Sequence, residues 1–201
     1  MGNMSRVVVL VLLVAIAGIL VLSLSHSIDT KRSEDAKKLF LDDLQRKYPN
    51  ADVREIMDVT QEAGSNGSYY QLKARVSSNL IYPCPERIHI YYDYPPQNFV
   101  TQPPDIITKD CRLCINEPTC ILAFEEEAIV ASHTYPGTDA ISSYINTYQD
   151  AIPAASFASQ YDTYANVWIV KWDSKSAPYS LKVILSKTEK KPLATFSEAH
   201  Q

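Results

Sequence analysis

Glycine is scarce in this chain of 201 residues, with 5 Gly against 12 Pro and 13 Tyr. Phosphate-cradling loops need glycine so that the backbone can approach the ligand, and no glycine-rich fingerprint is present, which argues against nucleotide chemistry. Clustered positive charge is also missing. The 19 Lys and Arg are dispersed among 23 Asp and Glu, for a net charge of −4 and a pI near 5.6. A nucleic-acid backbone finds nothing electrostatic to begin on, so nucleic acid is not an expected partner. No serine lies in a GxSxG elbow, no HExxH spacing occurs, and a second CxxC is absent. No catalytic residue is therefore assigned, and the chain is not expected to be an enzyme.

What is present begins with an uncharged apolar run, Val7 to Leu24. About 18 residues at 1.5 Å rise make a helix of roughly 27 Å, near the thickness of a hydrocarbon core. The expectation is a single-pass transmembrane helix or signal anchor over 7–24, behind a cytoplasmic stub of 1–6. A cleaved signal peptide is the rival, with Ser25 and Ser27 at cleavage spacing. Flanking charge does not orient the run. Arg6 stands on one side and Lys31, Arg32, Lys37 and Lys38 on the other, and long following domains cross largely regardless of such charges.

After a juxtamembrane linker (25–32), Ser33 is positioned to cap a helix with Glu34 and Asp35 in its first turn and Ala36, Leu39, Phe40, Leu44 and Tyr48 along one face; Pro49 stops it. Strands follow. Val53 to Val59 reads as one, and the glycine-bearing stretch Glu62 to Ser68 as a hairpin loop. Tyr70, Leu72, Ala74 and Val76 then alternate with Gln71, Lys73, Arg75 and Ser77, and Ile88, Ile90, Tyr92 and Tyr94 with Arg87, His89, Tyr91 and Asp93. Such alternation predicts a sheet with one wet face. Residues 95–137 read as a Pro/Cys-rich connecting region, irregular as far as Pro118, with a short strand over Ile121 to Phe124 and a helix from Glu125 to His133. A second helix from Thr138, carrying Ile141, Tyr144, Ile145 and Tyr148, leads to strands around Trp168 to Trp172, Tyr179 to Leu185 and Leu193 to Phe196.

A helix followed by an antiparallel meander thus occurs twice, in units at 33–94 and 138–201, and the expected class is α+β. In pattern rather than motif, TDAISSYINTYQD through NVWIVKWDSKSAPYSLKVILS resembles PepSY-type and cystatin-like domains. The resemblance implies one helix packed across a curled antiparallel sheet, often outside the cytoplasm, and in some members protease inhibition. No inhibitory residue can be placed on this chain.

Cys84, Cys111, Cys114 and Cys120 are the sharpest local feature. Outside the cytoplasm they read as two disulfides with three possible pairings. Alternatively they form a four-thiolate zinc site, or Cys111 and Cys114 act as a redox dithiol. Apart from zinc in that alternative, no cofactor is expected. Asn66-Gly67-Ser68 is a glycosylation sequon on a loop. His89 and His133 read as ordinary surface or capping histidines, and Glu125, Glu126 and Glu127 as a helix-start charge cluster. Ile81 to Val100, rich in Tyr and Pro, could present a rigid aromatic surface. Together these lead to the expectation of a membrane-anchored, extracytoplasmic binding or structural module of the cell envelope, with another envelope protein as partner. A thiol-disulfide or zinc protein, or a protease-inhibitory module, is the alternative.

Overall fold

A computed structural model describes residues 14–16, 18–19, 32–64, 67–94, 103–113 and 120–200. Two four-stranded antiparallel sheets, each a simple meander, make up most of it. The first contains β1 (Val53–Gly64), β2 (Gly67–Ser78), β3 (Glu86–Tyr94) and β4 (Asp105–Thr108). The second contains β5 (Ile152–Tyr161), β6 (Tyr164–Asp173), β7 (Tyr179–Ser186) and β8 (Pro192–Ala199). Among the described residues three helices accompany them, α1 (32–47), α2 (Glu125–Thr134) and α3 (Asp139–Thr147), besides the helical residues 14–16 and 18–19.

The expected α+β arrangement, a transmembrane helix followed by two helix-plus-sheet units, is corrected by this structure. Among the described residues strands take 47% and helices 26%, and no helix is long and apolar enough to cross a membrane. Of Val7 to Leu24 only 14–16 and 18–19 are described, both helical. The additional strand has a physical reason. In IPAASFASQY small and polar residues replace the period-two apolar pattern, so β5 has no alternation to detect, yet every backbone group in it except the nitrogen of Pro153 can still join a ladder. β1 runs past Val59 to Gly64 because its polar residues extend the hairpin with β2 as far as Gly64↔Gly67. The short strand expected over Ile121 to Phe124 does not form. Leu122 instead gives its N–H to Lys187 O and its carbonyl to the indole of Trp168.

One face of the first sheet carries Tyr70, Leu72, Ala74, Val76, Ile90 and Tyr92, buried against Ala36, Phe40 and Leu44 of α1. Phe40 stacks tilted on Tyr92 with ring centroids 4.1 Å apart. Leu39, expected on this apolar face, is 47% exposed. The second sheet buries Trp168, Val170, Trp172, Val183 and Leu185 against Ala128, Ile129 and Ala131 of α2 and Ile141 and Tyr144 of α3. Thr138 stands at the N-cap of α3, and Gly137 before it takes a left-handed φ of 88°.

α2 lies in the connecting region yet is the most enclosed element, with every residue from Glu126 to Ser132 buried. Its apolar side faces the second sheet, where Ser132 Oγ accepts a hydrogen bond from Trp172 Nε1 at 2.9 Å. Truncating Phe40 to Ala should cost about 3–5 kcal/mol in chemical denaturation of the full chain, whereas Leu39→Ala should stay within about 0.5 kcal/mol. Equal losses would contradict the assignment of α1's buried face.

Candidate functional site: a buried arginine–glutamate cluster

Half of the polar face of the first sheet is not wet, while Gln71, Lys73, Tyr91 and Asp93 stay partly exposed. Arg75, Ser77, Arg87 and His89, expected in solvent, are all buried. Arg75, Ser77 and Arg87 are covered by the three glutamates at the start of α2. Arg75 Nε donates to Glu126 Oε1 at 2.9 Å, and its terminal nitrogen to Glu125 Oε1 at 2.8 Å. Ser77 Oγ donates to the same Glu126 oxygen and accepts from Arg75 Nε at 3.1 Å. Arg87 pairs with Glu127, with both side chains essentially removed from solvent. Beneath both guanidinium groups lies the Phe124 ring, its centroid 4.3 Å from Arg75 Cζ and 4.7 Å from Arg87 Cζ. An aromatic face is a suitable support for a cation taken out of water.

Local sequence explains the arrangement. Arg75 and Ser77 on β2, and Arg87 and His89 on β3, alternate with the residues facing α1, and register sets Ser77 beside Arg87 and Arg75 beside His89. Phe124 has no side-chain oxygen to cap α2. Glu127 reaches back and accepts the Phe124 N–H at 3.1 Å, the glutamate half of a capping box. Burial thus turns a helix-start acidic run into three ligands for two arginines.

Burial also moves the titrations. Glu127 is raised to about 7, first by loss of water and then by the charge of Glu126, against the opposing pull of Arg87. His89 is lowered to about 4 by burial and then by the charges of Lys73 and Arg87, with Asp105 opposing. Its Nε2 has no hydrogen-bond partner among the described residues. A histidine held neutral in this way adds no third cation beside the arginines.

The cysteines form a second constellation nearby. Cys84, just before β3, is joined to Cys111, in the turn after β4. Asp110 and Cys111 both take left-handed φ values, 51° and 58°, and this tight turn closes with Arg112 N donating to Lys109 O at 2.9 Å. Cys120 is also disulfide-bonded. Cys114 and Asn66 lie outside the described residues. His133 Nε2 donates to Pro83 O at 2.8 Å, so that nitrogen carries the proton; burial lowers the ring's pKa and this bond opposes the shift. Cys84, Cys111 and His133 offer ligand atoms within 4.8 Å of one another. With both sulfurs in a disulfide, neither is available as a thiolate. Sequence reasoning placed the cysteines together but did not associate His133 with them, because the helix that brings it is distant in the chain.

Open grooves run between α1 and β1 and between α3 and β7 with β8, and none of the cluster residues lines them. The cluster's contacts join β2 and β3 to the start of α2. No family model, curated protein or solved structure matches this chain.

Replacing Arg87 by Met leaves the Glu127 carboxyl buried without its cation and should cost about 3–5 kcal/mol; the Arg87→Met, Glu127→Leu double variant should regain much of that. Glu127 contributes a pH dependence of definite sign. Its folded pKa is raised, so its contribution is complete below about 4.5 and falls away as the pH climbs toward 7. Relative to wild type, Glu127→Gln should therefore gain on the order of 3 kcal/mol between pH 4.5 and 7. Unfolding curves of the two proteins over this range measure it, and a difference independent of pH would reject the assignment.

Proposed function

We propose that this protein is a binding or structural module working outside the cytoplasm, at the cell envelope, with Val7 to Leu24 as the element that targets it to the membrane. The observation that carries the reading is the Cys84–Cys111 disulfide, joined by the disulfide bonding of Cys120. Stable disulfides belong to oxidising compartments and are rare where glutathione keeps thiols reduced. Cross-links of this kind contribute on the order of 2–4 kcal/mol each to a small domain.

The binding role draws on what the disulfide holds in place. Asn79 to Tyr82 form a tight turn, with Asn79 at a φ of 66° and Tyr82 N donating to Asn79 O at 2.9 Å. At its crest Ile81 and Tyr82 are 56% and 57% exposed, beside the anchored Cys84. A rigid, exposed aliphatic and aromatic pair matches the composition of protein–protein interface cores. The partner in this reading is another envelope protein.

Two measurements on the full chain test it. Alkylation of thiols in native membranes, with and without reductant, followed by mass spectrometry, should find the cysteines blocked until reduced. Free thiols together with bound zinc would overturn the reading in favour of a metal protein. Cross-linking in the same membranes should capture an envelope protein with the wild type and lose it with Tyr82→Ser.

A further inference from the structure

Each sheet has two edges, and three of the four carry features that keep other strands away. β1 holds Arg54, Glu55, Asp58 and Glu62, and its register breaks between Ile56 and Asp58. β4 is only four residues long. β8 begins at Pro192, carries Glu198, and its pairing with β7 is irregular between Ile184 and Leu185. Charge, bulges, proline and brevity are the devices by which natural sheets block edge-to-edge pairing.

β5 has almost none of them. Its ten residues include no charged side chain, and it pairs with β6 without a break from Ile152↔Asp173 to Ala158↔Val167. Among the described residues no strand pairs with its other side. α2 packs against β5 and Pro153 is buried, yet much of the strand stays accessible: Ile152 is 50% and Phe157 45% exposed, and Ala154 and Ser156 are exposed as well. Phe157 leans edge-on against Trp168, with centroids 5.6 Å apart, and Lys187 lies 5.4 Å over its ring, so the side chain is held in place. Pro153 occupies the second position, and from Ala154 onward alternate residues turn a backbone N–H away from β6.

We propose that β5 pairs antiparallel with β5 of a second copy of this chain, about a twofold axis at Ala155, joining two four-stranded sheets into one of eight. The occupant follows from the strand's own composition. A negatively charged chain repels its copies over most surfaces, but β5 against β5 brings no like charges into register. Symmetry about Ala155 places Ile152 opposite Ala158, Pro153 opposite Phe157 and Ala154 opposite Ser156, so each large side chain meets a smaller one. A twofold contact of this kind is closed and ends at the dimer.

Sedimentation velocity of the full chain in non-ionic detergent, from about 1 to 100 µM, should show a monomer–dimer equilibrium. Ser156→Lys adds the edge-blocking residue at an exposed position and should weaken dimerisation at least tenfold, while Thr195→Lys on β8 should leave it unchanged. Hydrogen exchange of the wild type, which does not depend on any variant folding, should show β5 amides gaining protection as concentration rises. Three outcomes would overturn the proposal: a wild type that stays monomeric with β5 amides exchanging freely, a dimer that survives Ser156→Lys, or β5 amides protected at every concentration by a different co-purifying polypeptide.

Discussion

Two arginines from one sheet and three glutamates from the next helix meet over a single phenylalanine ring, and the position of α2 depends on that meeting. Arg75 and Arg87 project from adjacent strands, so their guanidinium groups are fixed relative to each other before any helix is considered. Glu125, Glu126 and Glu127 can satisfy them only if α2 begins at Phe124 and points its first turn at the sheet. Apolar packing is not directional and could hold α2 in several rotations. Paired buried charges tolerate few, because an unpaired one is heavily penalised. The net stability from such a cluster is small, and its contribution is to select one arrangement.

From this position α2 serves both sheets. Ala128, Ile129 and Ala131 enter the core of the second sheet, Ser132 receives the Trp172 indole, and His133 bonds to the carbonyl just before Cys84. A short helix therefore touches the polar face of one sheet, the apolar face of the other and the disulfide-bonded turn. The residues flanking it are recruited too, since Leu122 accepts from the second tryptophan of the core.

Much of the first sheet was legible in the sequence, because Tyr70 to Val76 and Ile88 to Tyr94 alternate cleanly and the face they predicted is the one that packs on α1. The opposite face was misread for a reason that local patterning cannot repair. Arg75 and Arg87 look like solvent-exposed residues until Glu125 to Glu127 are brought across from about 40 to 50 positions away. A usable signal was present in the coincidence of two cations on neighbouring strands with three consecutive acids at a helix start. β5 was illegible on different grounds, since Ala, Ser and Pro carry little strand preference and its ladder with β6 is determined by the strength of Trp168, Val170 and Trp172 on the partner. The cysteine pairing could not be deduced, because the turn that aims Cys111 at Cys84 uses left-handed backbone at Asp110 and Cys111, neither of them glycine.

The placement of the acidic turn after both arginines has a consequence for the order in which the chain can become native. β1 to β4 precede Glu125 in the chain, so the first sheet can pair its strands while two cations on its polar face still lack their acids. Until α2 arrives that face must remain hydrated. The polar face of the N-terminal half is thus completed by residues 125–127, which follow it in the chain, and not by its own hydrophobic core.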